Sequence, residues 1–351
     1  MPPRATSSKT INKPRASKHP LKNTGAFQQA LVKWFEADGK SYPWRDTTDP
    51  WAILVSEIML QQTQIATVLG KGHYVRFMAL YPTPRDMAEA TEQEILKAWE
   101  GLGYYRRARN LHAASRAITR DHGGDFPSKF EKIRALPGIG QYTSGAVASF
   151  AYNEPQPIVD ANVARVFSRL FDFQERIDTT AGNKQLWQWA EELLSNKEPR
   201  NYNSALMELG QTYCSNKSPD CTHCPVKKFC QCTDPSSLPI KKPATKVTRV
   251  EEFAVFSTDN HGRILLQKQQ EGKRREGMWS LPRREHEDTV DLALSLKTTY
   301  SITRYHVTLR IYVSHADATE AQEHEEWYAL DDLESIPMPS PDRRALESLL
   351  L

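Results

Sequence analysis

Five cysteines crowd into the nineteen residues Cys214 to Cys232, and the rest of the 351-residue chain has none. An oxidising compartment favours even numbers of cysteines spread along a chain, so this crowding points to a metal or cluster in a reducing cytoplasm. Cys214, Cys221, Cys224 and Cys230 follow the spacing C-x6-C-x2-C-x5-C, which brings four thiolates within reach of one centre and leaves Cys232 spare. The spacing alone admits zinc. Zinc ribbons usually present two separated C-x2-C pairs, and this chain has one, so a cluster is favoured.

Two carboxylates and a turn also stand out. Glu57 sits between Val55 and Ile58 on a mostly apolar stretch, where the ordinary reading is a paired or edge-exposed side chain. Asp160 lies in Ile158-Val-Asp-Ala-Asn-Val-Ala-Arg165, a pattern that suits a helix N-cap. In Leu136-Pro-Gly-Ile-Gly140 two glycines form a tight turn before a helix rich in small residues. Gly138 and Gly140 permit close backbone approach, and the N–H groups at the following helix start make an anion site suited to a DNA phosphate, although a plain helix-helix turn has the same residues.

The elements that must carry these residues are mostly helical. From Thr24 to about Leu209 apolar residues recur at helical spacing: Phe27, Leu31, Trp34 and Phe35, then Ile53, Ile58 and Leu60, then Ile95, Trp99 and Leu102, and later Leu186, Trp189, Leu193 and Leu194. Breaks at Tyr42-Pro43, Pro82-Thr-Pro84, Gly123-Gly124 and Pro155-Gln-Pro157 separate them. Residues 24–232 are therefore expected as an all-α domain and residues 233–248, rich in Pro, Ser and Lys, as an extended linker. Phe253-Ala-Val-Phe256, Ile264-Leu-Leu266 and Tyr305 to Val313 read as strands and Val290 to Thr299 as a helix, which makes residues 249–351 an α+β domain.

Composition sets the outer bounds. With 39% hydrophobic and 25% charged residues the chain can bury a sizeable core, and its longest apolar runs, such as Trp51 to Val55, are far shorter than a bilayer span needs. No membrane role is expected. Residues 1–248 hold 33 Lys and Arg against 24 Asp and Glu, while residues 249–351 hold 13 against 19, so the basic part suits a polyanion. Residues 1–23 read as a disordered basic arm; a transit peptide is also basic and Ser-rich, but an apolar face is missing. A cytoplasmic, nucleoid-associated protein of bacterial type is expected.

The hairpin Leu136 to Gly140, followed some twenty residues on by Val159-Asp160, resembles that of the helix-hairpin-helix base-excision glycosylases of the endonuclease III fold. Ser56-Glu-Ile-Met-Leu-Gln-Gln-Thr-Gln64, Pro43-Trp-Arg45 and Gly101-Leu-Gly-Tyr-Tyr105 narrow the resemblance to the adenine DNA glycosylase (MutY) family. It covers Thr24 to about Cys230 and, more weakly, the rest. It implies a monomer that excises adenine mispaired with 8-oxoguanine or guanine in duplex DNA and carries a 4Fe-4S cluster on the four cysteines. Glu57 then becomes the general acid that protonates adenine N7. A free glutamate near pKa 4.3 is protonated on the order of one part in a thousand near pH 7, a handicap of about 4 kcal/mol, so burial must raise its pKa. Asp160 becomes the carboxylate that steadies the cationic sugar, with Ala161 standing where the family usually has Gly.

Further roles follow from the same resemblance. Tyr142 takes the hairpin position where lyases carry a nucleophilic Lys, so base removal without strand cleavage is expected. Gln62 and Tyr104 are expected to wedge into the duplex and Thr63 to contact the opposite base. Trp44, Arg45, Leu60 and Glu208 are expected around the flipped adenine, with Leu102 beside Tyr104 and the hairpin glycines Gly138 and Gly140 on phosphate. For Trp44 and Leu60 core packing competes with that reading. Gly277-Met-Trp-Ser-Leu-Pro282 resembles the domain shared with MutT (Nudix) hydrolases, but the hydrolase box is missing at Asp291 to Thr299. The family's Phe-Ser-His lesion-reading loop is matched only by Ile302-Thr-Arg304, with Thr303 as the hydroxyl contact. The rivals are an endonuclease III-like glycosylase and lyase on oxidised pyrimidines, and a catalytically silent iron-sulfur DNA-binding protein.

Overall fold

The computed structural model describes residues 21–243, 245–273, 275–315 and 321–351, so most of the expected basic arm lies outside the described residues. The chain divides into two compact units. One comprises Lys40–Ile158, Asn196–Asn203 and Lys242–Leu351; the other comprises residues 21–39, Val159–Ser195 and Ser204–Lys241.

The helical part of the first unit is built around helix Pro50–Leu60. Asp49 caps it, its carboxylate accepting from Trp51 N at 3.0 Å and Ala52 N at 3.3 Å, and Pro50 supplies a first-turn residue that needs no N–H partner. Every residue from Trp51 to Met59 is buried, so neighbours must enclose this helix on all sides. Helix Gln141–Tyr152 gives Val147 and Ala148 to the core around it, and a Cβ added to its Gly145 would lie 2.6 Å from the Pro157 carbonyl oxygen. Helix Arg106–His122 supplies Leu111 and Ile118 to the same core and stops at Gly123, whose φ of 67° is left-handed.

The same unit holds a seven-stranded mixed sheet made of β1 (Thr248–Thr258), β2 (Ile264–Lys268), β3 (Trp279–Ser280), β4 (Arg283–Arg284), β5 (Ala293–Ile302), β6 (Tyr305–His315) and β7 (Glu325–Tyr328). Its order is β3-β2-β1-β6-β5, with β4 pairing β1 and β7 pairing β2; β1 and β6 run parallel. Helix Ser340–Leu350 gives Ala345 and Leu346 to the core beneath the sheet. Before β1, residues 233–243 and 245–247 hold neither helix nor strand, as the linker composition suggests.

The three expected strands are present, but the expected helix over Val290 to Thr299 is not: Ala293–Ile302 is strand β5, antiparallel to β6. Leu294, Leu296, Thr298, Tyr300 and Ile302 alternate with polar or small residues, a period of two that the leucine-rich composition masks. Pairing with β6 along its length decides the outcome.

In the second unit, helices Thr24–Asp38, Ala161–Leu170 and Thr180–Glu192 lead to the cysteine-bearing loop. Phe27 meets Phe229 edge to face at 5.7 Å and Trp34 meets Tyr213 at 5.6 Å, tying the loop to the first of these helices. Among the described residues no helix is long and apolar enough to cross a membrane.

Candidate active site

Glu57 keeps only 5% of its surface exposed, in the last two turns of the fully buried helix Pro50–Leu60. The Tyr142 hydroxyl donates to its Oε2 at 2.7 Å. Tyr142 reaches it from the first turn of helix Gln141–Tyr152, which starts at Gly140. The hairpin before that helix is as tight as its glycines require: Gly138 has φ 72°, and a Cβ there would lie 2.6 Å from the Asn110 Cβ. No side chain caps the helix start at Gly140, so its first N–H groups are not claimed by a capping residue. The hairpin thus leaves the helix start without a side-chain cap and brings the Tyr142 hydroxyl to the buried Glu57 carboxyl.

Two loops flank the C-terminal end of the Glu57 helix. Gln62 (φ 59°) and Tyr104 (φ 48°) are both left-handed although neither is glycine, and both are exposed, Tyr104 to 46%. Such backbone strain persists only where surrounding structure over-determines it. Here that structure is Arg107, a residue sequence reasoning missed. Its Nη1 donates to the carbonyls of Ile58 (2.8 Å), Met59 (2.8 Å) and Gln61 (2.5 Å). Its Nη2 donates to Thr63 Oγ1 (3.1 Å) and to the carbonyls of Leu102 (3.1 Å) and Gly103 (3.2 Å). Burial pushes its pKa down to about 10, which still leaves it a cation at neutral pH. In the sequence it sits among Arg106 and Arg109, where nothing separates a buried arginine from a solvated one.

A cavity of about 690 Å³ opens beside these loops, lined by Gln62, Tyr104 and Arg107 on one side and by Arg275, Tyr300 and Thr303 on the other. Thr303 turns the β5–β6 hairpin with a left-handed φ of 52°. Trp44 is buried, stacked on Tyr42 at 5.4 Å and edge-on to Tyr74 at 5.2 Å, and Leu60 packs against the same core. Both make core contacts, the reading that competed with an adenine pocket. Arg45 donates to the Lys40 carbonyl, and Arg200 holds that loop through the carbonyls of Arg45 (2.8 Å) and Thr47 (2.6 Å). Leu102, two residues before Tyr104, is buried.

In the second unit Asp160 is the N-cap of helix Ala161–Leu170, accepting from Val163 N at 2.7 Å and from Asn162 Nδ2 at 2.8 Å. Burial raises its pKa above the ordinary 3.8, opposed by those two bonds and by Arg165. Gly210 packs against Asn162, where a Cβ would meet the Asn162 Cβ at 2.6 Å. Glu208, two residues earlier, is 1% exposed. The five cysteines are all free. Burial pushes the Cys224 thiol up to about 11, with Cys214, Cys230 and Cys221 adding to the rise, so the four sit within electrostatic reach of one another. Arg169 donates to Cys214 Sγ at 3.5 Å and to the Ser215 carbonyl at 2.7 Å, and Arg165 to the Cys214 carbonyl at 2.8 Å. Among the described residues no three His, Cys, Asp or Glu side chains converge as ligands of a single ion.

The raised pKa of Asp160 has a consequence for stability. A carboxyl whose folded pKa exceeds its unfolded value favours folding below the unfolded pKa and loses that contribution as pH rises through the folded one. Asp160→Asn keeps the cap but carries no charge. It should be more stable than the parent at pH 7, where the buried carboxyl of the parent must give up its proton. Urea unfolding at a series of pH values should show that advantage shrinking towards pH 4.

Residues 55–192 match the HhH-GPD superfamily of base excision DNA repair proteins, and residues 253–348 match the NUDIX domain. The human adenine DNA glycosylase is 38% identical over 215 residues, covering 59% of this chain and 39% of the human protein, so the chain spans about two fifths of the length of that relative. The adenine DNA glycosylase of Buchnera aphidicola subsp. Acyrthosiphon pisum is 26% identical over 341 residues, 92% of this chain and 97% of that protein. The solved structure of a thermostable thymine-DNA glycosylase is 32% identical, with a TM-score of 0.54, covering 59% of this chain and 95% of that one. With the hairpin, the buried acid and the mixed sheet behind them, the chain belongs to the HhH-GPD superfamily of base excision DNA repair proteins and groups there with the adenine DNA glycosylases.

Proposed function

We propose that the protein removes adenine mispaired with 8-oxoguanine, or with guanine, from duplex DNA, hydrolysing the bond from base to C1′ and leaving the strand intact. The observation that carries this reading is Glu57: a carboxyl group 5% exposed, on an apolar helix, with the Tyr142 hydroxyl on Oε2 at 2.7 Å. Burial disfavours the charged form of a carboxyl, so such a group is suited to hold a proton and give it to adenine N7, which makes the base a better leaving group. The relatives that bear the adenine DNA glycosylase name support the choice of base.

Asp160 supplies the negative charge. A carboxylate about 4 Å from the cationic sugar stabilises it by roughly 4 kcal/mol at an effective dielectric of 20. The uncapped helix start at Gly140 takes a phosphate. Gln62 and Tyr104 fill the space that the everted adenine leaves, and Thr303 reads the opposite base from the cavity beside them. A Tyr at position 142 offers no amine for an imine with the sugar, which argues against a lyase. The similarity to a thymine-DNA glycosylase favours one second reading, release of thymine.

The donor set in the cysteine loop fits a 4Fe-4S cluster. Four free thiols that feel one another's charge suit a centre that spreads iron and sulfide between them. Cys214, Cys221, Cys224 and Cys230 would hold it, and bound there it would cross-link the loop.

Glu57→Gln preserves shape and polarity but has no acidic proton. It should bind an A:8-oxoguanine duplex within about threefold of the parent while single-turnover excision falls at least 100-fold, the range of general acid catalysis. Near-parental excision would remove Glu57 from the role. Purified aerobically, the protein should be brown, with broad visible absorbance and about four irons per chain. One zinc per chain and no colour would replace the cluster assignment.

A further inference from the structure

Arg107 lies at the junction of three pieces of backbone that a base-everting enzyme must hold in register. It closes the C-terminal end of the Glu57 helix through the Ile58 and Met59 carbonyls, which have no partner further along the helix. A cation there also meets the negative end of the helix dipole. The same guanidinium grips the strained loop of Gln62 through the Gln61 carbonyl and Thr63 Oγ1, and the strained loop of Tyr104 through the Leu102 and Gly103 carbonyls. Its face lies 5.5 Å from the Tyr104 ring and 5.4 Å from the Trp99 ring. Among the described residues it pairs with no carboxylate, and its charge is spread over five carbonyls and a hydroxyl. A planar fork of donors can serve acceptors on both loops at once, which the point charge of a lysine cannot.

We propose that Arg107 is the positioning residue that couples base eversion to the acid: it fixes the two wedge loops relative to each other and to the Glu57 helix. The proposal rests on the functional reading above and goes beyond it, because it assigns the geometry of the wedge to a side chain that belongs neither to the wedge nor to the acid. Losing the fork loosens Gln62 and Tyr104 together. Extrusion of a paired adenine then suffers more than removal of one that is already unpaired.

The test compares the full-length parent with Arg107→Lys on two duplexes, one with adenine opposite 8-oxoguanine and one with adenine opposite a tetrahydrofuran abasic analogue, where eversion needs less help. Single-turnover excision by Arg107→Lys should fall at least tenfold on the paired substrate and no more than threefold on the unpaired one. Thermal unfolding checks the fold. A second variant, Gly103→Ala, covers failure of the first to fold: a Cβ at position 103 meets nothing within 4 Å, yet φ of 67° strains alanine, so only the Tyr104 loop is disturbed. It should show the same substrate-selective loss. The fluorescence of 2-aminopurine in place of the target adenine reports unstacking whether or not a base is released, and its rise on binding should be blunted in both variants. A parent without excision would sink the functional reading, while the fluorescence would still test this one. Equal losses on both duplexes, or parental fluorescence in both variants, would overturn the assignment.

Discussion

Burial disfavours the charged form of a carboxyl group, and helix Pro50–Leu60 leaves Glu57 only 5% exposed. Its residues from Trp51 to Met59 are all buried, so the surrounding helices exist as much to enclose it as to pack with one another. Glu57 is the ionisable side chain in that stretch. An unpartnered carboxyl in such a place would be costly, and the Tyr142 hydroxyl supplies a hydrogen bond without supplying a charge. The core of the helical region and the acid site are therefore one construction: the residues that stabilise the fold are those that keep the acid dry.

The neighbouring features use groups that the backbone already needs. Asp160 caps a helix, a role that fixes its carboxylate at a known point while burial makes its charge energetically uphill. Arg107 serves unpaired carbonyls at a helix end and holds two loops at a strained conformation. Gly138 brings backbone within contact of Asn110, and the hairpin delivers Tyr142 to Glu57. In each case one local bonding requirement is met by a side chain or turn that also carries chemistry, which is how a small number of residues can serve fold and site together.

The motifs were legible because their chemistry depends on order along the chain: the cysteine spacing, the Pro-Gly-x-Gly turn and the carboxylate in an apolar run all survive as patterns. The helical repeats of residues 24–209 were legible for the same reason, since helices report their periodicity locally. Strand β5 was not, because leucine-rich composition over Asp291 to Thr299 suggested a helix while the alternation that marks a strand depends on β6 for its meaning. Arg107 was invisible for a deeper reason. Its partners are carbonyls from two loops about 5 and 45 residues away, and a carbonyl leaves no trace in a sequence. Trp44 was ambiguous from sequence because an aromatic that packs, as it does on Tyr42 and Tyr74, has the same residue type as one that lines a pocket.

A buried acid that releases adenine without cutting the strand is identified by its products. Chromatography of the free base liberated from a duplex with a single A:8-oxoguanine pair, alongside a T:G duplex, with the strand examined before and after alkali, reads them. Free adenine is expected from the first duplex, no thymine from the second, and a strand that breaks only when alkali is added. Release of thymine instead, or strand scission without alkali together with covalent trapping by borohydride, would contradict that expectation.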